Sequence, residues 1–165
     1  MIIFWGNGFS PNLSRKLATL GPIGYWGKMP GTNGSFVGLL LYTLFFHNLS
    51  PFFYLFNCLL LITMACSICT QAEIAIGQKD PSCVILDEVV AMPLCFIGLQ
   101  PYMQHYPVWR FMLAGFLLFR LLDITKPFGI NKLQALPGGQ GVVLDDVAAA
   151  LGVCFILHIA LLIIT

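Results

Sequence analysis

The feature that most constrains this chain is a series of five apolar stretches, at residues 35–47, 52–71, 84–99, 108–125 and 142–164. A helix rises ~1.5 Å per residue and the hydrocarbon layer of a bilayer is ~30 Å thick, so about 20 apolar residues cross it. The pattern predicts an all-α, polytopic membrane bundle of about five transmembrane helices. The first stretch is short for a span, so it should tilt under a thinned bilayer or be re-entrant, which would leave four. Pro93 should bend the third helix, a distortion tolerated where neighbours satisfy the freed carbonyl. Composition agrees: 9% of residues are charged and the mean hydropathy is +0.87, against roughly a quarter charged in a soluble domain. A net charge of +1 offers no field for nucleic acid.

Residues 1–165 read as one membrane-embedded domain. Met1 to Trp5 is a short apolar run with no basic residue before it and no small-residue cleavage pattern after it, unlike a secretory signal. Residues 1–30 instead suit the membrane interface, with Phe4, Trp5, Tyr25 and Trp26 as aromatic anchors. Five of the six cysteines (Cys58, Cys66, Cys69, Cys95 and Cys154) sit in apolar segments and are expected to act as small hydrophobes. Cys66 and Cys69 form a C-x-x-C, but no partner pair or histidine cluster stands at zinc spacing.

With five spans, one side of the membrane collects Arg15, Lys16, Lys28, Lys79, Lys126 and Lys132, leaving Arg110 near the other. By the positive-inside rule the basic side is cytoplasmic, with the N-terminus inside and the C-terminus outside. Carboxylates in apolar segments are costly and ask for a reason. Asp87 and Glu88 lie near the start of the third stretch, Asp123 near the end of the fourth, and Asp145 and Asp146 near the start of the fifth. All five come to one depth at the cytoplasmic edge. The segments Asp87-Glu88-Val89-Val90-Ala91 and Asp145-Asp146-Val147-Ala148-Ala149 share a design, in which Ala91 and Ala149 would leave room beside the acids for a hard, oxygen-seeking cation, Mg2+ first. The bland alternative is a structural network with Arg120, Lys126 and Lys79. With Asp80 there are six acids against those three bases, so three negative charges stay uncompensated.

Two glycine-rich segments frame the acids: Pro30-Gly31-Thr32-Asn33-Gly34-Ser35 and Pro137-Gly138-Gly139-Gln140-Gly141. Read as loops leading into helices, they offer free N–H groups and the hydroxyls of Thr32 and Ser35 to an anion, although such turns are more often plain loops and neither is a P-loop. Arg120, Asp123 and Lys126 recur every third residue along one side of a helix that Pro127 stops. Arg120 can hold a phosphate bidentately, while Lys126 and Lys79 add point charges. His47, His105 and His158 lie toward the opposite side, which leaves proton transfer to a carboxylate or to metal-bound water.

The motifs M-P-G-T-N-G-S, K-D-P-S-C-V-I-L-D-E, F-R-L-L-D-I-T-K-P-F-G-I and P-G-G-Q-G-V-V-L-D-D-V-A-A occur in this order between Gly21 and Leu151. Together they resemble the phosphatidylglycerophosphatase A family of magnesium-dependent bacterial membrane lipid phosphatases. The resemblance implies hydrolysis of phosphatidylglycerophosphate to phosphatidylglycerol and inorganic phosphate at the inner membrane, on the cytoplasmic side. It marks Gly31, Thr32, Gly34 and Ser35; Lys79, Asp80, Pro81, Asp87 and Glu88; Arg120, Asp123, Lys126 and Pro127; and Gly138, Gly139, Gly141, Asp145 and Asp146. Ala91 and Ala150 stand where the family pattern leads one to expect glycine, and Gly129 where proline is common.

The expected mechanism is attack by metal-activated water. Asp87, Glu88, Asp123, Asp145 and Asp146 would ligate magnesium directly or through water, and an unligated carboxylate would orient the attacking water. Thr32, Ser35, Lys79, Arg120, Lys126, Gly138 and Gly139 would bind the phosphate. Asp80 remains open as base or nucleophile. Ion-coupled carriers and proton-relay subunits also use intramembrane acids, but they place them near the midplane among internal repeats. Here the acids sit at one edge, and no repeat of the whole architecture is visible.

Overall fold

The computed structural model describes residues 10–164, which are helix and turn with no strand among them. Phe4 and Trp5, expected at the interface, lie outside the described residues. The Ser10 hydroxyl caps α1 (Pro11–Ala18) by accepting from the Leu13 N–H at 3.4 Å. Ala18 packs with Ala65, Ile68, Cys69 and Ala72 of α3 (Pro51–Ile76), where small side chains allow close approach. Tyr25, Trp26, Lys28 and Met29 follow α1 and are exposed.

Among the described residues, two helices are long and apolar enough to cross a membrane, α3 and α7 (Gly139–Ile164), each with 26 residues and so ~39 Å long. Their apolar windows have mean hydropathies of 2.1 and 2.4, yet only 28% and 33% of those windows is buried. A core helix of a soluble protein would be mostly covered. These helices instead present Phe52, Phe56, Leu59, Phe155, Leu162 and Ile163 outward, as lipid-facing surfaces do. α6 (Val108–Thr125) has 18 residues and carries Arg110, Arg120 and Asp123. α2 (Pro30–Leu41) runs on through a π turn to Phe46.

The third apolar stretch is not a continuous helix. It forms the six-residue α4 (Leu86–Ala91), a 3-10 turn (Met92–Phe96), a left-handed Gly98 (φ +74°) and the short α5 (Gln100–Met103). Pro93 lacks the N–H that would continue the α ladder, and Gly98 reverses the backbone. Every residue from Asp87 to Phe96 is buried. The broken element is therefore wrapped by its neighbours and presents no lipid-facing side. Its loose polar groups are taken up: Tyr54 donates its hydroxyl to the Pro93 carbonyl at 2.6 Å, Cys154 its thiol to the Ile97 carbonyl at 3.5 Å, and Tyr42 its hydroxyl to the Met103 sulfur at 3.1 Å. Five membrane-crossing helices thus reduce to two that qualify by length and composition, around a buried, interrupted segment.

Both glycine-rich segments differ from the loops expected. Pro30 opens α2, so Gly31 to Ser35 are already helical, and α7 starts at Gly139, which puts Asp145 and Asp146 about two turns inside it. Gly31, Gly34 and Gly38 share one face of α2 against α4. A Cβ on Gly34 would sit 2.9 Å from the Ile85 carbonyl oxygen, and one on Gly38 would sit 2.6 Å from Met92 Cβ. Gly139 does the same against α3, where a Cβ would lie 2.4 Å from the Cys66 carbonyl oxygen. These glycines bring helices together.

Candidate active site

At the end of the bundle where α3 and α6 finish and α2, α4 and α7 begin, six acids gather around one cavity of about 230 Å³. Its wall is formed by Pro30 and Gly31 of α2, Asp80, Pro81, Ser82 and Val84 of the loop after α3, Asp87 and Glu88 of α4, Arg120 and Asp123 of α6, Lys126, and Val142, Asp145 and Asp146 of α7. Six carboxylates face two cations, leaving four formal negative charges. The volume is below the ~300–1,000 Å³ of sites for drug-sized ligands, so it suits a headgroup and not acyl chains.

The five acids expected as equivalent metal ligands divide into two sets. Asp123 and Asp145 are committed to cations. Arg120 Nη1 donates to Asp123 Oδ2 at 2.7 Å, Lys126 Nζ lies 3.9 Å from Asp123 Oδ1, and the Lys126 ammonium contacts Asp145 Oδ2 directly. Asp145 Oδ1 also accepts the Asp146 N–H at 3.1 Å. Burial disfavours the Lys126 ammonium, but the Asp145 contact and the charges of Asp146 and Asp123 outweigh it, holding the group above the ordinary lysine range.

Asp87, Glu88 and Asp146 form the other set. Each offers a carboxylate oxygen within 4.8 Å of the others, and Asp87 Oδ1, Glu88 Oε2 and Asp146 Oδ2 are buried with no hydrogen-bond partner. Among the described residues, the cation paired with this set is Arg120, whose Nη1 lies 3.9 Å from Glu88 Oε1. Buried anionic oxygens without partners are strongly unfavourable unless a cation joins them or a proton neutralises them. Three carboxylate oxygens this close together could converge on one cation. The donor set is all oxygen, as magnesium prefers. The residues present fit such an ion.

Gly31 makes the room, in place of Ala91 and Ala149, which are fully buried in the apolar core. A Cβ on Gly31 would fall 2.4 Å from Glu88 Oε1 and 3.1 Å from both terminal nitrogens of Arg120. Arg120 Nη1 further donates to Ser35 Oγ at 3.3 Å, and Arg120 Nε is a buried donor with no partner. Ser35 thus touches Arg120 from behind the wall. Thr32, Lys79, Gly138 and Gly139 do not line the cavity. The Gly139 N–H donates to Thr70 Oγ1 at 2.9 Å, so that N–H already has a protein partner.

Among the described residues, two of the three non-glycine residues with positive φ line this cavity, Asp80 (φ +49°) and Lys126 (φ +41°). Lys126 ends α6 in a left-handed cap, which turns the chain before Pro127. Such conformations cost free energy and persist where surrounding structure holds them, often at functional sites. Sequence reading passed over Ser82, Val84 and Val142 on the wall, and Glu73, whose Oε1 accepts the Asp80 N–H at 2.7 Å. An acid in the last turn of α3 opposes the helix dipole, and that was the available signal.

The sequence profile of a family described as phosphatidylglycerophosphatase A matches residues 16–161. A phosphatidylglycerophosphatase A of Haemophilus influenzae is 30% identical over 150 residues, covering 85% of this chain and 89% of that protein. A putative phosphatidylinositol-3-phosphatase of Bacteroides thetaiotaomicron is 31% identical over 153 residues, covering 88% of this chain and 81% of its own. A phosphatidylglycerophosphatase A of Escherichia coli is 27% identical over 152 residues, covering 90% and 74%. No solved structure matches the chain.

Proposed function

The chain belongs to the phosphatidylglycerophosphatase A family, and on that premise we propose that its cavity hydrolyses the terminal phosphomonoester of phosphatidylglycerophosphate with the help of Mg2+. The products are phosphatidylglycerol and inorganic phosphate. The observation that carries this reading is the buried trio of Asp87, Glu88 and Asp146, with unpartnered oxygens beside Arg120 in a headgroup-sized cavity.

Asp87, Glu88 and Asp146 would hold the ion. When bound, magnesium offsets charge on the phosphoryl oxygens and makes water a stronger acid. Arg120 is held between Asp123 and Ser35, so its guanidinium meets a phosphoryl oxygen without reorganising. Asp145 and Asp123 fix the Lys126 ammonium, which supports a second phosphoryl oxygen. Asp80 is on the wall, outside the trio and free of ion pairs among the described residues. On this reading it is the carboxylate that would orient the attacking water and take its proton.

The site lies at the end of the bundle that carries Lys79, Lys126 and Lys132, which supports a cytoplasm-facing site in a bacterial inner membrane. The phospholipid substrate would keep its acyl chains in the bilayer while its headgroup enters the cavity. Because one relative is named for a phosphoinositide, the test compares phosphatidylglycerophosphate, phosphatidylinositol 3-phosphate and phosphatidic acid in mixed micelles. Magnesium-dependent phosphate release fastest from phosphatidylglycerophosphate is expected. Faster release from phosphatidylinositol 3-phosphate would reassign the headgroup, and no release from any of the three would overturn the reading.

A further inference from the structure

Asp80 stands in a left-handed backbone conformation, uncommon for non-glycine residues although Asp adopts it more readily than most, so it gains from contacts that hold it. Two side chains do so, and neither lines the cavity. Glu73, in the last turn of α3, accepts the Asp80 N–H through Oε1 at 2.7 Å. Gln134, in the 3-10 segment Pro127–Ala135, donates through Nε2 to Asp80 Oδ2 at 3.2 Å. The two contacts reach Asp80 from separate stretches of chain, one fixing its backbone and one its carboxylate. Glu73 makes no ion pair among the described residues, and its charge opposes the dipole of the helix that carries it. The bond to Asp80 is thus the partner its position offers in return for that cost.

We propose that Glu73 and Gln134 are positioning residues for the phosphatase reaction, acting through Asp80. This rests on the reading of the cavity as a lipid phosphatase site with Asp80 at the attacking water. Gln134 holds one carboxylate oxygen, which fixes the direction of the other. Glu73 holds the peptide that sets where the carboxylate stands. Neither touches the phosphate or the ion, so the expected signature is a loss in turnover with little change in substrate binding or metal binding.

The test uses the full-length protein in mixed micelles with phosphatidylglycerophosphate and magnesium, and Mn2+ binding followed by electron paramagnetic resonance. Glu73→Ala should lower kcat about tenfold or more and Gln134→Ala about three- to tenfold, as loss of a charge-assisted and a weaker hydrogen bond. KM and Mn2+ affinity should stay within about threefold of the unmodified protein, a change too small to account for that loss. Glu73→Gln should keep most of the turnover, because an amide oxygen still accepts the N–H. Unchanged kcat in both alanine variants would overturn the proposal, as would equal loss in Glu73→Gln and Glu73→Ala. Loss of Mn2+ binding in both alanine variants would reduce the two residues to structural supports. An unmodified protein that binds Mn2+ but releases no phosphate would refute the underlying reading of the site instead.

Discussion

The two sets of carboxylates in this cavity have the same chemistry and nearly the same depth, but they differ in what surrounds them. Asp123 and Asp145 are neutralised by Arg120 and Lys126 at contact distance. Asp87, Glu88 and Asp146 keep buried oxygens without partners. The neighbours Asp145 and Asp146 fall on opposite sides of this division, since successive residues on a helix are about 100° apart and face different elements. One side of α7 meets Lys126 and the other meets Asp87 and Glu88 of α4. Protein cations stabilise the first set, and the second is the one we propose takes a cation from outside the chain. The paired set also holds Arg120 and Lys126 in place, so under the proposed reading it would shape their contacts to the phosphate.

The largest effect should come from the inner set. Asp146→Asn and Asp87→Asn should each lower kcat/KM by on the order of 10³, the scale of removing a principal electrostatic contact at a transition state. Phosphate release assays on micellar substrate check this, and near-normal rates in both variants would erase the distinction between the sets. Neutralising the outer set should cost less. Asp123→Asn or Asp145→Asn should reduce activity about 10- to 100-fold, as expected for residues that orient others, while metal affinity changes little.

Gly31→Ala should lower activity without unfolding the protein, because the new methyl group meets the ends of Glu88 and Arg120. Gly34→Ala meets the Ile85 backbone instead and should destabilise the protein by about 1–3 kcal/mol, the usual cost of overpacking. A thermal unfolding comparison in detergent separates the two. The smallest effect belongs to Thr70→Val, which removes the acceptor of the Gly139 N–H. It should cost about 1 kcal/mol of stability and leave turnover almost unchanged. A large loss of turnover there would return the second glycine segment to phosphate binding.

The position of the site was legible because acids in apolar sequence stand out, and Asp87, Glu88, Asp123, Asp145 and Asp146 do line one cavity. Their division was not legible. It depends on Lys126 taking a left-handed conformation at the end of α6 and so reaching Asp145, 19 residues on. The third apolar stretch has the composition of a span, but Pro93 and Gly98 break its ladder and neighbouring hydroxyl and thiol groups stabilise the break. The glycines of residues 30–38 carry the spacing of a helix face as well as the look of a loop, and close contact with α4 decides between them. For Glu73 the sequence offers only its unfavourable place near a helix C-terminus, because its partner is a backbone N–H, which leaves no pattern of side chains.

The most direct measurement of the central claim is divalent-cation binding to the purified protein, with Mn2+ as the paramagnetic probe and Mg2+ as competitor. The account predicts saturable binding that Mg2+ displaces, abolished by Asp146→Asn and retained in Asp145→Asn, although the two residues are neighbours in sequence. Binding that survives Asp146→Asn, or that Asp145→Asn removes as completely, would contradict it.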